Sequence, residues 1–411
     1  MSPSAVVTGS GGRGARSLRL ALALACAALA ALTALVPPAA RAQDPGRWLL
    51  TGATSVPASY WQGLTSDPAK SSLYFVGVFE GLWQTDPALA PVAGTPLAIP
   101  AAVKQAEGYN HIGDPTWNGL EGGRVVLPLE CFTPGVGNTC NTGSFGIADP
   151  RTLAFRYYVK LDPSEIAKAM WAETSPDGSL IWTSSGADLL AYRSSDVVSA
   201  NGAPAGPRIA AARRLAGAVP PSGVTGAVFD DGRLLLAGES GGPHRVWSVD
   251  PRTGERRLEI EMSICGESEG LDRITMLGGE LHWLIAPFDP GCSLTFGPSS
   301  ALLHFTPRPK HERYAVDVLS VDSEVAPGPA SVTVRVTRDG HPVPRARVGF
   351  AGVDARTDVR GVATVTVYLE NPGRYSAVAG HGQSFGASEL VRVGFPAPAA
   401  LRAAPATSGA G

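Results

Sequence analysis

Asp231-Gly232-Arg233-Leu234-Leu235-Leu236 is a turn dipeptide followed by a short aliphatic run, and the chain repeats this phrase. Earlier copies are Gly122-Gly123-Arg124-Val125-Val126-Leu127 and Asp177-Gly178-Ser179-Leu180-Ile181-Trp182; a later one is Gly278-Gly279-Glu280-Leu281-His282-Trp283. A weaker copy is Lys70-Ser71-Ser72-Leu73-Tyr74-Phe75-Val76. The second glycines fall at 123, 178, 232 and 279, in steps of 55, 54 and 47 residues. Asp-Gly suits a reverse turn because glycine accepts positive φ without steric cost, and the runs that follow have strand length and composition. Before each copy lies another short element with a small residue at a matching place: Gly63, Gly113, Ala172, Gly226 and Gly270. After several copies comes an apolar strand that ends in Asp-Pro, as in LWQTDPAL from Leu82, FGIADPRTL from Phe145 and VWSVDPRTG from Val246.

Four short strands in roughly 50 residues, repeated about five times, predict an all-β fold, a β-propeller over residues 43–307. The stretch from Arg193 to Pro221 leaves room for a degenerate sixth copy, and Pro163 to Ala169 reads as a helix-like insert. Arg47-Trp48-Leu49-Leu50 is placed to pair with the last blade and close the ring, which would remove the exposed edge strands. SPDGSLIW and the V-D-P-R-T-G turn resemble the repeats of secreted YVTN/TolB-type β-propellers, a resemblance that implies a fold rather than an activity.

Composition changes at about Thr306. TPRPKHER, with Pro and charge and no apolar periodicity, reads as a linker at 308–313. Alternating runs such as Ser331-Val332-Thr333-Val334-Arg335-Val336 and Gly361-Val362-Ala363-Thr364-Val365-Thr366-Val367 then predict a small β-sandwich over 314–396. The pattern DGHPVPRARV…TDVRGVATVTV…PGRYSAVA resembles bacterial Ig-like domains of the invasin and carboxypeptidase-regulatory type, which implies a spacer or adhesion module. Residues 397–411, rich in Ala, Pro and Ser, are expected to form a disordered tail.

Arg13, Arg16 and Arg19 precede an apolar stretch from Leu20 to Val36 and then Ala40-Arg41-Ala42, the plan of a Sec-type secretory signal peptide over 1–42. Its removal takes four arginines and no acid, changing the formal net charge from −2 to −6. The expectation is a secreted, extracellular monomer with no membrane insertion. The acidic balance argues against nucleic acid as a partner. The cysteines left are Cys131, Cys140, Cys265 and Cys292, an even set. In an oxidising compartment they are expected to pair as Cys131–Cys140 and Cys265–Cys292, each closing a local loop.

Chemistry is harder to read. Gly238-Glu239-Ser240-Gly241-Gly242-Pro243 resembles the nucleophile motif of trypsin-like proteases, yet no His motif accompanies it and its acid position is Glu239, so a turn is the better reading. Phosphate-loop, dinucleotide, zinc-protease and EF-hand signatures do not occur. The richer constellation lies beside the aligned small residues: Gln62, Asn110, His111, Asp114, Glu173, Thr225, Glu267, Glu269 and Asp272. In a propeller these positions line a central channel. Carboxylates converging there would need pairing, protonation or a cation, and oxygen donors favour Ca²⁺ or Mg²⁺. Asp114, Glu173 and Glu269 are therefore the expected ligands of such an ion, with His111 as base or metal partner; Glu121 and Glu130 are further acids nearby. Trp61, Trp117 and Trp171 are candidates to face a ligand, whereas Trp182, Trp247 and Trp283 sit within expected strands.

Two functions follow. The leading one is binding of a small molecule, glycan or surface protein at the channel mouth. The alternative is a divalent-cation-dependent hydrolase of the lactonase, phosphoesterase or glycosidase kind working through the acidic residues.

Overall fold

The structure, a computed structural model, describes residues 47–396 except 78, 200–207, 241, 265 and 287–298. Four successive sheets each carry their strands in chain order, so that consecutive strands are hydrogen-bonded neighbours. The first holds Gly63–Ser66, Leu73–Val76, Leu82–Thr85 and Pro91–Thr95. In the second, two short strands, His111–Ile112 and Thr116–Asn118, share one partner, Arg124–Glu130, followed by Ser144–Ala148 and Phe155–Lys160. The third opens with Glu173–Thr174 and ends with Arg213–Leu215; the fourth runs from Gly226–Asp230 to Arg256–Met262. This is the sheet plan of a β-propeller.

The repeated turns behave as their composition requires. Asp231 and Gly232 both have positive φ, 52° and 73°, between strands Gly226–Asp230 and Arg233–Gly238. That is the geometry of a primed hairpin turn, which glycine tolerates and which matches the strand twist. Apolar runs on neighbouring sheets pack against one another: Leu234 and Leu236 of the fourth sheet join Trp171, Trp182 and Leu189 from the segment and sheet before it.

The stretch from Arg193 to Pro221 holds, in its described part, a short helix Ser194–Ser199 and strand Arg213–Leu215, the outer strand of the third sheet. The helix-like insert expected at Pro163 to Ala169 is absent; those residues form turns and bends, because Asp162 closes a turn through bonds to the backbone and hydroxyl of Ser164. A helix forms instead at Ala101–Glu107.

The fifth sheet differs in kind. It runs Glu267–Asp272, Leu281–Ala286, Ser300–Pro307, then the N-terminal strand Trp48–Val56, and continues into Gly373–Tyr375 and Val391–Val393. Trp48–Val56 pairs antiparallel with Ser300–Pro307 on one side and with Gly373–Tyr375 on the other. One sheet thus spans the propeller and the C-terminal part. That part has two further sheets, one built on Gly328–Arg338 and Val362–Leu369, the other on Arg347–Phe350 and Val378–His381. Val362–Leu369 alternates buried and exposed positions, and its inward Val365 packs with Val332, Val334, Val348 and Phe350 in one core. The segment expected as a linker is partly sheet, since His311–Glu312 pairs with Ser384–Ala387.

A buried hydrogen-bond chain crosses this junction. His282 Nε2 lies 2.7 Å from the Ile274 carbonyl, so it must be the donor there. Its Nδ1 is then the acceptor for His304 Nδ1–H at 2.7 Å. His304 Nε2 in turn accepts from the Thr54 hydroxyl at 2.6 Å, and Thr54 accepts from Tyr375. Every donor and acceptor is used once, but only if both imidazoles are neutral. Burial pushes His282 down to about 4 and His304 well below its ordinary value.

Unfolded, each imidazole takes up a proton below about pH 6.5, whereas folded His282 resists until about 4, so its contribution is whole above pH 6.5 and is lost as pH falls. The stability gap between wild type and His282→Gln should therefore narrow by about 3 kcal/mol from pH 7 to pH 4 at roughly 1.4 kcal/mol per pH unit. Urea denaturation across that range reads the gap directly, and a constant gap would remove the neutral-pair assignment.

Candidate functional site

The innermost strands meet at the small residues. A Cβ on Gly63 would stand 2.5 Å from Asp114 Cα, and one on Gly270 would stand 2.6 Å from Gly63 Cα. One on Gly226 would stand 2.8 Å from Leu271 N, and one on Gly113 would collide with the Met170 carbonyl. The aligned small positions are thus where backbones from different sheets touch.

Asp114 occupies the middle of this contact. It sits in the break between His111–Ile112 and Thr116–Asn118, followed by Pro115, which has no N–H to give. Its backbone N–H donates to Met170 O at 3.0 Å and its carbonyl accepts from Ala172 N at 2.9 Å. Its Oδ1 accepts from Leu64 N–H and its Oδ2 from Ala227 N–H, both at 3.0 Å. Burial pushes the carboxyl well above the usual range, against the pull of those two donors. Asp114, expected as a metal ligand, is instead a clasp between sheets.

This closure divides the expected channel into two ends. At one end the inner strands finish in a cleft of about 690 Å³ lined by Ser66, Lys70, Thr116, Trp117, Glu173 and Asp272, among others. Glu173 Oε1 accepts from Phe229 N–H at 2.9 Å and Oε2 from the Thr116 hydroxyl at 2.9 Å. Burial raises its carboxyl to about 8, with the Asp272 charge adding to the rise. Asp272 is raised in the same direction, first by burial, while Lys70 and a bond with Ser66 oppose it. Its Oδ2 is buried without a partner among the described residues.

At the other end lie Gln62, Asn110, His111, Thr225, Glu267 and Glu269. Gln62 Nε2 donates to Glu269 Oε2 at 2.9 Å, and Thr225 shares a hydroxyl contact of 2.9 Å with Ser268. His111 stands 3.7 Å from Glu130 and packs on Phe132, while Asn110 bonds the Phe132 backbone. These residues lie away from the 690 Å³ cleft, which Glu173 and Asp272 line.

The expected cation set therefore does not assemble. Among the described residues no three His, Cys, Asp or Glu side chains are placed to hold a metal ion. Asp114 and Glu173 have both oxygens engaged by protein donors, and Glu269 belongs to the opposite end. Proximity in the repeat did not reveal that the clasp closes the channel between them.

Other candidates resolve individually. Trp171 is fully buried and donates to the Ser184 hydroxyl at 2.8 Å, so it faces no ligand; Trp117 does line the cleft. Trp182 and Trp283 are core residues. Glu121 is exposed and paired with Arg124. Near the protease-like motif, His244 Nε2 contacts Glu239 at 2.6 Å and the Gly266 carbonyl at 3.0 Å, and no bond joins it to Ser240 among the described residues. Cys131 and Cys140 form a disulfide; Cys265 and Cys292 lie outside the described residues, as do the signal segment and the tail.

No protein-family profile matches the sequence, and no curated protein is similar to it. Solved structures do resemble the fold. A luciferin-regenerating enzyme aligns at 12% identity and TM-score 0.35, covering 62% of this chain and 94% of that one. The β-propeller domain of Myceliophteria thermophila Cps50 (Swd1) aligns at 11% and 0.31, covering 77% and 99%. Pseudomonas fluorescens PhoX, in complex with the transition-state analogue vanadate, aligns at 13% and 0.34, covering 55% and 57%. At these identities and scores the likeness concerns the fold and carries no activity across.

Two outcomes test the site. Asp114→Asn places an amide N–H against a backbone N–H donor, so stability should fall by about 2–3 kcal/mol in urea denaturation. Glu173 loses its proton at about 4.5 unfolded and about 8 folded, so its burial costs stability increasingly as pH rises through that window. The melting temperature of Glu173→Gln, compared with wild type, should therefore rise between pH 5 and pH 9.

Proposed function

We propose that the protein is an exported ligand-binding β-propeller of five blades, followed by an Ig-like sandwich, and that its ligand enters the Glu173–Asp272 cleft. The five repeated sheets support the blade count, the alternating core of the C-terminal part supports the sandwich, and the Cys131–Cys140 bridge suits an oxidising compartment. The observation that carries the binding assignment is Asp272 Oδ2, a buried acceptor without a partner among the described residues, on the wall of the 690 Å³ cleft. A buried polar atom left unpaired costs about 1–3 kcal/mol, and a ligand hydroxyl would satisfy it.

The lining favours a neutral, polyhydroxylated ligand such as a glycan. Hydroxyls from Ser66, Thr116 and Thr174 line it with the Trp117 indole and with the carboxyls of Glu173 and Asp272, which accept or donate according to their protonation. The cations lining the cleft, Lys70 and Arg273, are matched by the carboxyls of Asp177 and Glu280, which leaves it without a dominant charge of either sign.

A hydrolase is the second reading, and one observation favours it. A carboxyl raised to about 8 holds its proton at neutral pH and would serve as a general acid. This version needs no cation.

A glycan array, followed by calorimetry on any hit, tests the assignment. Asp272→Asn and Glu173→Gln should each weaken binding by about tenfold or more, roughly the worth of one hydrogen bond to a charged group. Chromogenic glycoside, ester and phosphoester panels separate the two readings, since turnover lost in Glu173→Gln would make the protein an enzyme. Binding left untouched by both substitutions would place the ligand elsewhere.

A further inference from the structure

The opposite end of the inner strands carries a second, chemically different feature. Glu269 is only 2% exposed, and its Oε2 is held by Gln62. Its Oε1 is buried and has no hydrogen-bond donor among the described residues. The charges that press on it come from Glu267, Glu239, Asp114 and Glu130, all negative. The basic side chains described nearby already face other acids: Lys168 stands 3.9 Å and His111 3.7 Å from Glu130, and His244 stands 2.6 Å from Glu239. Glu267, half-buried, lies within hydrogen-bonding reach of Glu269, and neither carboxylate can donate to the other without a proton. A cavity of about 500 Å³ between the third and fourth sheets is lined by Lys168, Met170, Thr225 and Glu239, and it adjoins the two carboxyls through Ser268, which contacts Thr225 at 2.9 Å and donates its N–H to Glu239 at 2.8 Å.

We propose that this end binds an organic cation, a primary ammonium or guanidinium group, between Glu267 and Glu269. The chemistry of the donors selects the class. A divalent metal needs several oxygens converging at about 2.3–2.6 Å, and no such set exists among the described residues. An ammonium or guanidinium instead sends three to five N–H groups outward, reaching acceptors that are spread apart. It would supply the donor Glu269 Oε1 lacks and offset two like charges. The rival arrangement is a single proton shared between Glu267 and Glu269, which would satisfy the same oxygen with no ligand at all.

The site lies at the other end of the clasp from the Glu173–Asp272 cleft, so the two assignments stand or fall separately. Agmatine, which carries both cationic groups, is the probe, titrated by calorimetry into the full-length protein; the tripeptide amide Gly-Arg-Gly distinguishes a peptide side chain from a free amine. Saturable binding of either is expected, weakened at least tenfold by Glu269→Gln and by Glu267→Gln, and unaffected by Glu173→Gln. Glu269→Gln keeps an acceptor for Gln62, and the partly exposed Glu267→Gln provides a second variant should the first fail to fold. Calcium at millimolar concentration should not displace agmatine. Binding equal in wild type and both variants, no binding by either probe, or displacement by calcium would overturn the proposal, the second outcome leaving the shared proton in its place.

Discussion

Everything in the propeller depends on how closely the inner strands approach one another, and Asp114 is where that approach is secured. Its backbone bonds Met170 and Ala172, its side chain bonds Leu64 and Ala227, and Gly270 packs against its Oδ1. One residue of the second sheet therefore touches segments belonging to or leading into all the others. Such contact is sterically open only because glycine stands at 63, 226 and 270. A buried carboxyl is costly in isolation, and this one accepts from two backbone N–H groups, Leu64 and Ala227, on the inner strands of the first and fourth sheets.

Closing the centre has a chemical consequence. A continuous acidic channel would have placed all the inner carboxyls in one field and invited a cation. The clasp instead separates them into two groups with different surroundings. Glu173 and Asp272 share their cleft with hydroxyls, an indole and Lys70, whereas Glu269 sits among carboxylates. The same residue type thus stands in two different surroundings.

The C-terminal part is joined to the propeller through a shared sheet. Its strand Gly373–Tyr375 continues the fifth sheet through Trp48–Val56, and Tyr375 stacks on His304 while starting the hydrogen-bond chain that ends at the Ile274 carbonyl. Gly52 leaves room for the Tyr375 ring, which a Cβ there would meet at 2.6 Å. The strand nearest the N-terminus is consequently shared by two cores, so ordering it stabilises both.

Local chemistry was legible from the residues. Asp-Gly turns, aliphatic runs and the spaced small residues announced strands, repeats and a propeller, because each obeys rules that operate within a few positions. The Cys131–Cys140 bridge was legible for the same reason, joining cysteines nine positions apart. The acidic positions at 114, 173, 269 and 272 were also visible, since each flanks an aligned small residue. Their roles were not. Whether a carboxyl clasps backbones, faces a cleft or lies against other acids depends on which N–H groups from distant segments meet it. Leu64 and Ala227 lie 50 and 113 residues from Asp114, and only the closed packing of sheets brings them within 3.0 Å.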